Sequence, residues 1–348
     1  MKIIIAGGGT GGHIFPIIEF INECAARKIE VLWLGTNRGL ERKHKPDGCT
    51  LIEMNISGFR GKNLFKKFIS IVSLFFSIIK LIPKILFYRP TAIVCFGGYV
   101  SLPAGITSII LGKSLYLHEQ NAVFGTSNKI LKFFSKKIFL GFPINGYNSH
   151  KIVLTGNPIR NNLQNQTQSS KQHDEFNVLV TGGSLGSEFI NTHVPKVLSS
   201  INFADYGINK LNIFHQTGVN KSDYVRDLYS TSICLQTKDF FDDMHQYIFN
   251  ADLIITRAGA LTLSEISAYK KYCLMIPLPT SIDDHQLKNA SIIEDLDRGT
   301  IFEEHQEIKI LHEKIKFIMH NKKYACEDSK VIPNHFDAAK KILDCILN

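Results

Sequence analysis

No C-x-x-C pair occurs among the seven cysteines of this 348-residue chain. An odd, scattered set argues against a disulfide framework and for a reducing compartment, the cytoplasm by default. No signal peptide is expected either, because Ile3, Ile4 and Ile5 run straight into glycines. Low-complexity sequence is absent between the expected strands and helices; "RNNLQNQTQSSKQHDE", from Arg160 to Glu175, is polar, nearly free of large apolar residues and reads as a linker. The one long apolar stretch, from Lys66 to Tyr88, is interrupted by Lys80 and Lys84 and is too broken to span a bilayer. Acidic charge is the scarcer sign. With 31 Asp and Glu against 40 Lys and Arg, the net charge is +9, which suits an anionic partner: nucleic acid, acidic lipid or a phosphorylated substrate.

What is present is a pattern that occurs twice. "KIIIAGGGTGGHIFPIIEF" and "NVLVTGGSLGSEFINTHV" each read as a β-branched strand, a glycine turn and a helix, about half a chain length apart. This predicts two similar α/β domains, each opening on its own phosphate-type loop. Further strands are expected at EVLWLG, AIVCFGG, SLYLHEQ, KIVLTG, LNIFHQTG, DLIITRAG and CLMIPLP, alternating with helices, so the sheets should be parallel. A final amphipathic helix, FDAAKKILDCILN, can pack on either domain.

Gly7, Gly9 and Gly12 satisfy G-x-G-x-x-G, the dinucleotide fingerprint. That fingerprint also requires an acid at the end of the second strand to bind ribose hydroxyls. Here the strand ends on Gly35, Thr36 and Asn37, with Glu30 at the wrong end, so the nicotinamide reading fails. The loop still suits an anion, since successive glycine N–H groups at a helix start can approach phosphate oxygens closely. A third glycine cluster, CFGGYVSLPAG, and the polar run His118, Glu119, Gln120 and Asn121 also end strands and are expected to gather at one site. In the second half, GGSLGS supplies another cradle. TRAGALTLSE brings Arg257, Thr262, Ser264 and Glu265, and DDHQLKNA brings His285 and Gln286.

On a helix, Lys66, Ser70, Ser73, Ser77, Lys80 and Lys84 form one narrow polar stripe with apolar residues all around it. A deeply buried helix and an interfacial membrane contact both fit this pattern. A second cluster of lysines and aromatics, from Asn128 to Phe139, favours contact with an anionic membrane surface through both segments.

Together GGGTGGHIFP, GGYVSLPAG, HEQNAVFG, TGNPIR, GGSLGS, FFDDM, ADLIITRAGALTLSE and DDHQLKNA resemble the MurG glycosyltransferases, in register from Gly7 to about Ala290. The resemblance implies an α/β GT-B fold, two Rossmann-like domains with parallel sheets facing across a cleft. Residues 1–158, completed by 334–348, would take the acceptor, and 159–333 the donor. It implies an inverting transfer of N-acetylglucosamine from UDP-N-acetylglucosamine to the muramyl C4 hydroxyl of lipid I. The product would be lipid II, made for peptidoglycan synthesis, and hence for cell shape and division, at the inner face of the bacterial cytoplasmic membrane. No nucleic acid and no metal cofactor is expected.

Carried over by position, Arg160 and Ser184 would meet the UDP diphosphate, and Phe241 would lie beside the uracil. Ala260, Leu261, Thr262, Leu263, Ser264 and Glu265 would line the donor, with Glu265 on the ribose and Gln286 on the sugar. Thr10, Gly11, Gly12 and Asn121 would border the reacting sugars. Gly8, Gly9, Gly97, Gly98 and Tyr99 would receive the acceptor pyrophosphate. An inverting transfer needs a base. His13, whose ordinary pKa lies near neutrality, is the first choice and Glu119 the second. Arg160 and the helix start after Gly182 would take up charge on the departing UDP. Asp242 and Asp243 read as helix capping. Two positions depart from the family: Ser187 stands where alanine is common, and Phe241 where an aliphatic residue is. The rival reading within the fold is a glycosyltransferase acting on another lipid acceptor such as diacylglycerol. The rival from another class is a binding module with no catalytic base.

Overall fold

The computed structural model describes residues 1–9, 11–37, 41–56, 64–160, 175–230, 234–326 and 333–348, with only the backbone path for 64–68. Thr10 and most of the polar linker, residues 161–174, lie outside the described residues, as does Lys66's side chain. Two compact units make up the chain: residues 1–160 with 333–348, and residues 161–332.

The first unit runs β1 (Lys2–Ala6), α1 (Gly11–Ala26), β2 (Glu30–Thr36), α2 (Glu41–His44), β3 (Thr50–Met54), α3 (Leu64–Tyr88), β4 (Ala92–Cys95), α4 (Ser101–Ile110), β5 (Ser114–Glu119), α5 (Thr126–Leu131), β6 (Lys137–Leu140) and β7 (Ile152–Leu154). Its seven strands are all parallel, in the order β3-β2-β1-β4-β5-β6-β7. The second unit runs β8 (Glu175–Thr181), α6 (Glu188–Ser200), β9 (Lys210–Gln216), α7 (Ser222–Arg226), β10 (Cys234–Lys238), α8 (Met244–Asn250), β11 (Leu253–Thr256), α9 (Ala260–Ala268), β12 (Cys273–Met275), α10 (His285–Asp295), β13 (Gly299–Ile301) and α11 (Ile308–His320). Its six parallel strands are ordered β10-β9-β8-β11-β12-β13. The strand order reverses between β1 and β4, and again between β8 and β11. In an open α/β sheet, loops at such a reversal splay apart beyond the strand ends and leave room for a ligand. Both glycine-rich loops sit at these points.

The last helix, α12 (Ala338–Leu347), returns to the first unit and packs on α1. It puts Ile342, Leu343 and Ile346 into the core of Ile3, Ile5, Phe20, Trp33 and Phe96 on one face of that sheet. On the other face, Ile4, Leu32, Leu34 and Ile93 meet α3 and α4 through Leu81, Ile85 and Ala104. Strands β3, β6, β10 and β13 add to those expected from sequence. They are short, and most lie near a sheet edge, where partial exposure weakens the apolar signature.

Helix α3 corrects both the stripe and the deeply buried reading. Its buried residues are Ser70, Ser77, Leu81 and Ile85, while Ile71, Phe75, Phe76, Ile79, Leu86 and Phe87 are exposed, Phe87 at 92%. The serines therefore face the protein, and the lipid-like side chains face outward. Burying a serine costs little here because its hydroxyl bonds to its own helix: Ser77 Oγ donates to the Ser73 carbonyl at 2.7 Å. Lys80 and Lys84 remain exposed. The stretch from Ile69 to Tyr88 is long and apolar enough to cross a membrane, by length and composition alone. The second patch is shorter than expected. Asn128, Ile138 and Phe139 are buried, and the residues from Lys137 to Leu140 form β6, which leaves Ile130, Phe133 and Phe134 exposed.

Candidate active site

The glycine loop after β1 is packed from several sides. Gly7 N–H donates to the Leu34 carbonyl at 3.1 Å, and Trp33 Nε1 donates to the Gly7 carbonyl at 2.9 Å. A Cβ on Gly8 would meet Glu41 Oε1 at 1.9 Å, and one on Gly97 would come within 2.9 Å of the His13 ring. One on Gly98, whose φ is +77°, would strike the Gly8 carbonyl at 2.7 Å. These glycines are required by neighbouring protein atoms. Gly9 has a φ of +102° with open space around it, the left-handed conformation that glycine adopts without a Cβ penalty.

The loop after β4 is held by its carbonyls. Gln120 Nε2 donates to Phe96 O at 2.7 Å, Ser101 Oγ to Gly97 O at 2.7 Å, and Ser127 Oγ to Gly98 O at 3.0 Å. His13, in the first turn of α1, lies half-buried against this loop, and Tyr99 is exposed beside it. The structure thus brings His13, Gly8, Gly97 and Gly98 together within the first unit.

Glu119 belongs to the same end of the sheet but holds a loop. Its Oε1 accepts from the Asn121 N–H (3.2 Å) and Asn121 Nδ2 (3.3 Å), and its Oε2 from the Gly125 N–H (2.8 Å) and Asn128 Nδ2 (2.9 Å). Burial raises its pKa, and those four donors oppose the shift. A carboxylate with both oxygens occupied has no free lone pair aimed at an acceptor hydroxyl, so Glu119 orients the 120–128 loop and Asn121. His118 is wholly buried, with Nε2 3.3 Å from the Gly156 carbonyl and its ring against Phe96. Burial lowers its pKa to about 4, which keeps it neutral.

Arg160 ends the first unit rather than opening the second. Its guanidinium lies over the Phe15 ring, 4.7 Å from the centroid, and His44 meets the same ring edge-on. Arg160 also opposes the burial that raises the Glu19 pKa, and it helps to lower that of His44, where burial is the larger cause.

In the second unit, the GGSLGS loop is pinned to the turn after β9. A Cβ on Gly186 would sit 2.0 Å from the Thr217 carbonyl, and one on Gly218 2.4 Å from that of Leu185. Ser184 is exposed at the loop tip, and Ser187 caps α6 by accepting from the Ile190 N–H at 3.3 Å. Gln216, missed in the sequence, joins two of the expected donor segments: its Nε2 donates to Gly183 O at 3.0 Å and its Oε1 accepts from the Phe241 N–H at 2.9 Å. Its signal was a polar residue closing an apolar strand.

Arg257 braces the same end of the sheet. Its Nη2 donates to Ser187 Oγ at 2.6 Å, and its Nη1 to the Ile276 carbonyl at 3.0 Å while pairing with Glu304. Within α9, Leu263 and Ser264 point into the protein, and Ser264 Oγ donates to the Ala260 carbonyl. Ala260 is also buried, whereas Leu261, Thr262 and Glu265 are partly exposed, with Glu265 in the second turn rather than at the helix start. Phe241 is buried against Tyr247, and its neighbour Phe240 is the exposed ring. Gln286, in the first turn of α10, accepts from the Leu278 N–H at 3.0 Å. Asp243 occupies the N-cap of α8 without a side-chain capping bond, so the capping expected of it is not made.

Residues 3–140 match the glycosyltransferase family 28 N-terminal domain and residues 177–342 its C-terminal domain. The UDP-N-acetylglucosamine--N-acetylmuramyl-(pentapeptide) pyrophosphoryl-undecaprenol N-acetylglucosamine transferase of Pseudomonas syringae pv. syringae is 38% identical over 298 residues, covering 84% of this chain and 82% of that protein. The enzyme of the same name from Idiomarina loihiensis is 32% identical, covering 92% of this chain and 90% of its own. The crystal structure of Acinetobacter baumannii MurG superposes with a TM-score of 0.78 at 27% identity, over 99% of each chain. This chain belongs to the MurG family. It is therefore a UDP-sugar glycosyltransferase of GT-B fold. A wider group shares the fold alone, such as a putative UDP-N-acetylglucosamine 2-epimerase from Listeria monocytogenes, with a TM-score of 0.64 at 15% identity. The two MurG-family glycine loops are the segments packed at the switch points of the two sheets.

Proposed function

We infer that this chain transfers N-acetylglucosamine from UDP-N-acetylglucosamine to the C4 hydroxyl of the muramyl sugar of lipid I, giving lipid II for peptidoglycan synthesis. The observation that carries this reading is likeness across both units to enzymes named for that transfer. The diacylglycerol alternative has no comparable support.

In this reading the first unit takes the acceptor. His13 accepts the proton of the attacking hydroxyl, supported by its place in the first turn of α1, half-buried against Gly97. The hydroxyl oxygen attacks the anomeric carbon as the bond to the UDP oxygen breaks, turning an α-linked donor into a β-linked product. Glu119 and Asn121 shape the acceptor loop. The second unit takes the donor through Ser184, the exposed edge of α9 with Thr262 and Glu265, and Gln286. Phe241 contributes by packing behind the site, since its ring is buried.

Arg160 offers a positive charge to the departing diphosphate without a metal ion. Its guanidinium stacks on the Phe15 ring, an arrangement that leaves its in-plane hydrogen-bond donors clear of that ring. Attachment to the cytoplasmic face of an anionic membrane is supported by the outward apolar face of α3 with Lys80 and Lys84, and by Phe133 and Phe134 with the lysines around them.

The test is transfer of radiolabelled N-acetylglucosamine to lipid I by the purified full chain, with and without chelator. Lipid II formation that is indifferent to chelator is expected. Absence of lipid II overturns the substrate assignment, and loss with chelator overturns the metal-free step.

A further inference from the structure

The acid that a dinucleotide loop takes from the end of its second strand is missing at Gly35, Thr36 and Asn37, yet a carboxylate reaches the same place from α2. Glu41 is fully buried, and its Oε1 accepts from the Gly9 N–H at 3.0 Å, the Thr36 N–H at 2.9 Å and Thr36 Oγ1 at 2.9 Å. Two glycines make room for it. A Cβ on Gly8 would overlap Oε1, and one on Gly35 would press on Glu41 Cγ at 3.0 Å. Among the described residues its Oε2 has no hydrogen-bond partner.

A buried carboxylate persists where several donors converge on it, and removing it leaves those donors unmet. Here the donors belong to two segments, the glycine loop and the end of β2, which the Gly7 and Trp33 hydrogen bonds join at Gly7 and Glu41 joins two residues further on, at Gly9. Gly9 lies four residues before His13. The Gly9 N–H, occupied by Glu41, is not available to a phosphate oxygen.

We propose that Glu41 is a positioning residue for the transfer: it latches Gly9 to the end of β2 and so fixes where the start of α1 presents His13. The proposal rests on His13 acting in the reaction, and its test keeps the two apart. Transfer kinetics are measured for the full-length wild type, Glu41→Ala, Glu41→Gln and His13→Ala, together with amide hydrogen exchange over residues 7–13.

Glu41→Ala is expected to lower kcat by about a hundredfold, the scale at which small misplacements are felt. The KM for UDP-N-acetylglucosamine should stay unchanged and exchange over the loop should quicken. Glu41→Gln, which keeps an acceptor oxygen for the same donors, should recover at least about tenfold of that loss. Wild-type kcat in Glu41→Ala, no recovery in Glu41→Gln, or a rise in the UDP-N-acetylglucosamine KM matched by a fall in melting temperature would each overturn the latch. Full activity in His13→Ala, with loop exchange still quickened by Glu41→Ala, removes His13 from the mechanism and leaves Glu41 holding the loop.

Discussion

The Asn157 N–H donates to Nδ1 of His335 at 2.9 Å, across 178 positions of sequence. Asn157 Nδ2 passes the connection on to the Gln120 carbonyl at 3.0 Å, and Gln120 Nε2 reaches Phe96 O at the edge of the site loop. The C-terminal segment is thus wired to the loop that faces His13. His335→Ala should remove the Nδ1 acceptor of the buried Asn157 N–H and lower stability by roughly 1–3 kcal/mol, read as a shift in the urea midpoint. A chain ending at residue 332 also loses Ile342, Leu343 and Ile346 from the first unit's core, and that unit should lose its cooperative unfolding transition. A truncated chain that melts like the full one would show that α12 is dispensable.

The Ser187 hydroxyl has two partners, the Ile190 N–H and Arg257 Nη2. Ser187→Ala should cost about 1 kcal/mol as a lost helix cap. Arg257→Ala should cost more, about 3 kcal/mol, because Glu304 loses its partner in a largely buried pair. Both should raise the KM for UDP-N-acetylglucosamine more than that for lipid I, since both loosen the GGSLGS loop. Equal effects on the two KM values would show the disturbance to be general.

Stability should depend on pH through His118 and His215, whose pKa values burial lowers to about 4 and about 3. Above the ordinary histidine pKa both are neutral in the folded and unfolded chains, and their burial carries no protonation penalty. As pH falls below about 6.5, the unfolded chain takes up protons that the folded one refuses, so stability declines towards pH 4. Glu119 acts the other way, because a carboxyl raised by burial is relieved by protonation. Urea midpoints between pH 7.5 and pH 5 should therefore fall for the wild type and fall less for His118→Asn. Parallel curves would rule out His118 as a source of the slope.

The outward face of α3 gives a prediction about membranes. Replacing Phe75, Phe76 and Phe87 by serine removes exposed rings, so the melting temperature should change little. Co-sedimentation with vesicles containing anionic lipid should fall by at least about tenfold, since each ring removes apolar area from the contact. Undiminished sedimentation would place the membrane contact elsewhere.

Much of the architecture was legible in the order of residues. A β-branched run followed by glycines and a helical period leaves the backbone few alternatives, so both Rossmann-like units, their parallel strands and their glycine turns follow from local pattern. The family was legible in the same way, because eight short segments keep their spacing along the chain. What local pattern could not decide was which atoms each loop meets. Nothing in the local pattern LERKHK singles out Glu41, which α2 places against Gly8 and Gly9. The serines of α3 read only as part of a narrow polar stripe until packing buries Ser70 and Ser77 and turns Phe75, Phe76 and Phe87 outward. Glu119 passes for a base until Gly125 and Asn128 fill its second oxygen. These are contacts between segments far apart in sequence, set by close packing and by the need to pair every buried polar group, and only the tertiary structure decides them.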